Sequence, residues 1–210
     1  MNERKRDTSR KREAILDAAQ QAFIDEGYEN TSMDRIAELA NASKRTVYNH
    51  FSSKEELFQA VIQRLFREAY ALKQIIYHSD DSLEAQLGAF ADAKLKFTRN
   101  AAWMGMMKVT ASVFSSHPEL ARKAVLHAED ESDTLSSWLT AATGDGRMNV
   151  PDAAEAATIF WSMVSGAFFW PAIFHCAMPE EQIVRIKNEM IDMFLGKYGI
   201  EKDTGAGNGR

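Results

Sequence analysis

The sequence predicts an all-α protein in two parts, an N-terminal three-helix domain of helix-turn-helix form and a larger helical domain, about nine helices in all. Three observations predict it. Apolar residues recur three and four apart along most of the chain, no stretch alternates with the period of a β-strand, and the helical runs open on hydroxyl or acidic caps. With 210 residues, 45% hydrophobic and 26% charged, the chain can bury one small and one larger core.

The first helix is expected from Ser9 to Glu26, where Ile15, Ala19 and Phe23 repeat at four with Leu16 and Ala22 beside them, and Gly27 supplies the stop. Residues 1–8 before it form a basic arm. Met1 to Arg12 holds six Lys and Arg against two acids, which suits a DNA-contacting arm and a solubilising tail equally. Thr31-Ser32-Met33-Asp34 then opens a second helix with a stripe at Ile36, Leu39 and Ala40. Asn41-Ala42 makes the following turn, Asn being one of the few non-glycine residues that tolerate a left-handed backbone.

Ser43 caps the third helix, with Lys44, Arg45 and Thr46 in its first turn. Val47 and Phe51, four apart, can pin one face into a core with Phe23 and Ile36, which leaves Tyr48, Asn49 and His50 pointing elsewhere. This is the form of a recognition helix. Base contacts are assigned to Lys44, Arg45, Thr46 and Asn49, and phosphate contacts to Thr31, Ser32, Tyr48, His50 and Lys54. Ser53 and Glu56 make a capping box ahead of Leu57, Phe58, Val61 and Ile62, so Lys54 sits at a helix N-terminus, where a cation opposes the macrodipole unless an anion bridges it.

Thr46, Tyr48, His50, Phe51, Lys54, Glu55 and Leu57, in that spacing, resemble the DNA-binding segment of the TetR (tetracycline repressor) family over Thr31 to Leu57. Asn41 and Arg45 stand where glycines are usual in that family. The resemblance implies an all-helical, dimeric, ligand-responsive transcriptional regulator.

The helix after the capping box is expected to run to about Ile76 and to leave the first domain, His78 to Ser82 breaking it. Leu83, Leu87, Phe90 and Phe97 line the next; Trp103, Met106, Met107, Thr110 and Phe114 the one after; Pro118 restarts another that reaches about Ala142. Thr143 to Gly146 is a turn, and Pro151-Asp152 begins a nearly charge-free helix over Ala153 to Phe174. Being apolar all round it should be buried all round, with Ser162 and Gly166 allowing close helix approach and Pro171 kinking or ending it. Glu180 to Tyr198 forms the last helix, with two apolar rows. These two helices are expected to build a four-helix homodimer interface through Phe160, Val164, Ile183, Met190 and Phe194. The domains are thus placed at 1–56 and 57–200, with a loose tail over 201–210.

Other chemistry is sparse. The five histidines include no pair three or four apart, so no helical metal pair exists, and no nucleotide loop, nucleophile elbow or paired-cysteine motif occurs, so neither a cofactor nor an enzyme activity is expected. The single cysteine, Cys176, reads as inert and fits a reducing cytoplasm, and no run approaches the ~18 consecutive apolar residues of a membrane span. The net charge of −5 is uneven: Met1 to Lys54 carries ten basic against nine acidic residues, the remainder fifteen against twenty-one. The acid therefore lies away from the reading head. Abundant Trp and Met in the second domain suggest an adaptable cavity for a small apolar or aromatic effector, lined by Trp103, Met107, Phe114, Trp138, Trp161 and Phe168. The function expected is a dimeric repressor of a pseudo-palindromic duplex operator; the alternative is a helical small-molecule binder or enzyme without sequence-specific DNA binding.

Overall fold

The computed structural model describes residues 3–69, 75–122, 134–174 and 178–200, the side chains of 3–7 and 66–69 excepted. The acidic cluster at 129–133, His127, His175, Cys176 and the tail lie outside the described residues. By its contacts the chain forms two compact units, Met1–Tyr70 with Arg99–Glu131, and Ala71–Thr98 with Ser132–Arg210.

The first unit contains α1 (Glu3–Glu26), α2 (Met33–Leu39), α3 (Lys44–His50), α4 (Lys54–Ala69) and α6 (Ala101–Ser116). Helix α1 begins six residues before the predicted start, so the described part of the basic arm is helical. Its apolar row Ile15, Leu16, Ala19 and Phe23 is buried against Ile36, Val47, Phe51 and Phe58, and Phe23 meets Phe58 edge-to-face at 5.5 Å. Burial of that kind stabilises by roughly 1.5 to 3 kcal/mol per side chain. Arg64 locks α4 to α1 through Asp17 (2.7 Å) and Gln20 (2.8 Å). Helix α6 comes so close to α1 that a Cβ at Gly105 would stand 3.1 Å from Ile24 Cγ2.

Helix α2 ends as foreseen. Asn41 has φ +50°, and its N–H and that of Ala42 return to the Glu38 and Ala37 carbonyls, the hydrogen-bond pattern of a Schellman motif with Asn in place of Gly. The described residues of α4 end at Ala69, and 75–78 are not helical, with Ile76 69% exposed.

The second unit packs α5 (Leu83–Thr98), α7 (Thr134–Gly144), α8 (Ala153–Val164), a π-helical turn over Ser165–Phe169, α9 (Trp170–Ile173) and α10 (Glu180–Tyr198). Its core gathers Leu87, Phe90, Leu95, Trp138, Leu139, Phe160, Phe168 and Phe194. Gln86 is buried among them and fully used. Its Oε1 accepts from the His78 N–H and Trp138 Nε1, both at 2.9 Å, while Nε2 donates to the His78 carbonyl. Asp152 caps α8 through the Glu155 N–H, and an isolated antiparallel bridge joins Met148 to Gly199.

A π turn interrupts the segment Ala153 to Phe174. Ahead of Pro171 the Trp170 N–H reaches five residues back to the Ser165 carbonyl, and the helix runs two residues past the proline to Ile173. Within one chain Phe160, Val164 and Phe168 are buried, while Ile159, Trp170 and Phe174 are 40 to 69% exposed. Ala153–Ile173 is also long and apolar enough, at mean hydropathy 1.4, to cross a bilayer by length and composition, although one third of it is buried in protein. Small residues dilute its apolar run, so counting consecutive apolar residues missed it.

Candidate nucleic-acid interface

Helix α3 has seven residues and one fully buried side chain, Val47. So short a helix is marginal alone and takes its rigidity from the core beneath it. Ser43 Oγ accepts from the Thr46 N–H at 3.1 Å and lies 2.8 Å from Thr46 Oγ1, so the predicted reading hydroxyl of Thr46 is engaged in the cap. Lys44, Arg45, Tyr48 and Asn49 are exposed, and their spacing makes one continuous outer face. Arg45 and Asn49 share a row on it. Neither has a hydrogen-bond or ion-pair partner among the described residues.

Lys44 is exposed but occupied, its Nζ 2.5 Å from Asp34 Oδ2 on α2, and that contact raises its pKa. To meet a base it must exchange one oxygen partner for another. Ser32 caps α2 by accepting from the Arg35 N–H at 3.1 Å, and stays exposed with its own O–H available for a phosphate. Tyr48 is 52% exposed and His50 half-buried beside Phe51.

One of the predicted phosphate contacts is corrected, and a second has partners within the chain. Thr31 is 2% exposed, and its hydroxyl donates to the Gly27 carbonyl at 2.7 Å, clasping the end of α1; no phosphate can reach it. Lys54 does not wait for an anion. Its Nζ donates to the Tyr28 carbonyl at 2.8 Å and the Glu29 carbonyl at 3.3 Å, and stands 4.3 Å over the Tyr28 ring. Those carbonyls supply the negative charge that its place at a helix N-terminus lacks. The capping box also differs: Ser53 caps Glu56 as foreseen, but the Glu56 carboxylate accepts from the N–H and hydroxyl of Ser52, one residue earlier. Arg12, in the basic stretch that suits a DNA-contacting arm, holds its guanidinium 5.2 Å from the Phe51 ring, beside the end of α3.

Comparison with known proteins decides the family. Residues 15–61 match the model for bacterial regulatory proteins of the tetR family, and residues 85–200 the model for the AefR-like transcriptional repressor, C-terminal domain. A crystal structure of a TetR family transcriptional regulator from Pseudomonas syringae pv. tomato superposes with TM-score 0.74 at 35% identity, covering 92% of this chain and 98% of that one. The chain belongs to the TetR family of transcriptional regulators. Among relatives, the regulator YhgD of Bacillus subtilis is 28% identical over 65% of this chain and 69% of its own. The transcriptional activator FasR of Mycolicibacterium smegmatis is 50% identical over 54 residues, about a quarter of each chain. These relatives are regulators, not enzymes.

In this TetR-family regulator the six residues expected to line one effector pocket fall into separate units. Trp103, Met107 and Phe114 lie on α6 in the first; Trp138, Trp161 and Phe168 lie in the second. Trp138 is core, 2% exposed and bonded to Gln86. A groove of about 550 Å³ in the second unit runs between α5 and α10, but none of the six lines it; Glu84, Asp92, Lys187 and Asp192 do, with Ile191 at its floor. The predicted dimer residues are corrected as well. Phe160, Val164, Met190 and Phe194 are at most 5% exposed within their own core, Phe160 and Phe194 meeting at 5.3 Å, and Ile183 packs against that core. The side chains left outward are Ile159, Trp170, Phe174, Val184 and Met193.

Proposed function

We propose that this TetR-family regulator acts as a homodimeric repressor, each subunit setting the outer face of α3 in the major groove of one half of a pseudo-palindromic operator. The observation that carries this is the unpartnered pair Arg45 and Asn49 on a helix fixed by Val47 and Phe51. Arginine reads guanine bidentately and asparagine reads adenine, so both are suited to base edges. Ser32, Tyr48, His50 and Arg12 surround them as phosphate contacts, with Lys44 joining when it leaves Asp34. Repression is supported by the AefR-like repressor description of the matching C-terminal domain, whereas a 54-residue stretch of the chain is 50% identical to a transcriptional activator.

Dimerisation is supported by the outward apolar stripe Ile159, Trp170 and Phe174. On the same side of that helix Ser162 and Gly166 are exposed, and a Cβ at Gly166 would meet nothing within 4 Å in its own chain. That side leaves room for the close approach of a helix from another copy. A small effector held in the second unit would act on the first through the chain itself, which passes between the units after Tyr70, Thr98 and Glu131. Release requires that the effector favour the form that binds DNA less well.

A footprint on the DNA upstream of its own gene and on random duplex, at two salt concentrations, tests the reading. A protected two-fold-symmetric site with a steep salt dependence supports it; equal protection of both duplexes rejects it.

A further inference from the structure

Helix α5 carries a lysine on its apolar side. Leu87, Phe90, Ala91 and Leu95 are buried there, and Lys94 lies seven residues after Leu87 on the same stripe. Its Nζ donates to Ser165 Oγ at 2.8 Å and stands 4.9 Å over the Trp161 ring. No carboxylate lies within ion-pair distance of it among the described residues. Lys187, with little solvent contact of its own, is by contrast paired with Asp92 at 2.6 Å. An enclosed ammonium without a counter-charge costs stability, so such groups are paired or neutralised unless a ligand supplies the charge.

The surroundings are built around this cation. Ser165 opens the π turn, and Trp161 lies one turn before it, so the distorted part of the helix is the part that faces Lys94. Such turns occur often at functional sites. Ser165 accepts from Lys94, and its own O–H has no acceptor among the described residues. Trp161 presents its ring to Lys94 and stands edge-on to Phe90 and Phe160, at 6.2 and 5.5 Å. Lys94, Trp161 and Ser165 each keep some solvent contact, so the group can be reached. Burial alone pushes the Lys94 pKa down to about 8.

We propose that Lys94, Ser165 and Trp161 form an anion-recognition site for a small-molecule carboxylate, its carboxylate taking the Lys94 ammonium and the Ser165 hydroxyl while its apolar body lies along Trp161. This deepens the effector reading and rests on it, giving the effector a negative charge where the composition suggested only an apolar ligand. An anion on Lys94 stabilises its charged form, so binding near pH 8 takes up a proton.

The test is calorimetric titration of the full chain with benzoate, 1-naphthoate and decanoate, each beside its neutral primary amide. The expected result is at least about a tenfold preference for one acid over its amide, with proton uptake near pH 8. The preference disappears in Lys94→Met and survives in Lys94→Arg and in the surface control Lys187→Met. Lys94→Met removes an enclosed charge and should melt higher than wild type at pH 7; Ser165→Ala, which weakens the preference without touching the lysine, is the second variant. No acid preference in the panel, or one that persists in Lys94→Met, overturns the proposal. So does a Lys94→Met variant that changes self-association and leaves acid binding intact, since a second subunit would then hold the lysine. Operator release, followed by fluorescence anisotropy, separates the two readings. Lys94-dependent acid binding that leaves DNA bound rejects the effector role alone; release by an acid equally in wild type and Lys94→Met rejects the site alone.

Discussion

At the scale of single residues, function and support fall to neighbouring positions on the same short helices. Arg45 is outward and unpartnered, so Arg45→Ala removes a contact without disturbing the core. Operator affinity should fall by about 1 to 3 kcal/mol, with relaxed preference at one base pair, in a binding-site selection of wild type against variant. Ionisable groups of the same unit give the stability a pH dependence. Bonds from the Ser52 hydroxyl and N–H hold the Glu56 carboxyl below its ordinary 4.5, so its contribution is present above that value and lost as pH falls below it. Burial, with the charge of Glu55 second, pushes Tyr28 from 10.0 to about 12; that contribution is full below pH 10 and lost as pH rises towards 12. Urea midpoints across pH should therefore lose the acid slope in Glu56→Gln and the alkaline slope in Tyr28→Phe. The outward residues of α3 were legible in the sequence because only Val47 and Phe51 have helical partners to bury. Thr31 was misread, and the partners of Lys54 were invisible, because their acceptors are carbonyls of the α1–α2 turn, which only the folded chain brings near.

At the scale of elements, local chemistry was most readable where one side chain sets one backbone angle or cap. Asn41 for the left-handed turn, Asp152 for the start of α8 and the span Glu180–Tyr198 of α10 were all visible in advance. The π turn was not. Periodicity averaged over a helix does not register one added residue, and Pro171 suggested a kink or an end, while the helix resumes at Trp170 and runs to Ile173. The two features are coupled. Deleting Gly166 restores a regular helix and drives the Pro171 ring against the carbonyl four residues before it, costing about 3 kcal/mol or more, whereas the same deletion with Pro171→Ala avoids that clash. Thermal melts should show the deletion alone to be the less stable of the two.

At the scale of the whole molecule, hydrophobic period identified helices correctly but could not say what covers them. Phe160 and Phe194 look available in sequence and are core; Trp170 and Phe174 look like core and are outward. A helix face knows its period, not its partner. If the proposed dimer forms through this face, Trp170→Glu and Gly166→Leu should each shift light scattering from dimer to monomer, the first by placing a charge in an apolar contact and the second by filling a close approach, while secondary structure is retained. The division of the first unit between Met1–Tyr70 and Arg99–Glu131 has a consequence during synthesis. The reading head precedes α6 by a whole helix of the other unit, and α1 meets α6 where Gly105 touches Ile24. A nascent chain that has emerged only to Tyr70 therefore holds its DNA-reading helices without the helix that completes their support. Recognition and the framework that steadies it are born at different times, and the ribosome delivers the recognition part first.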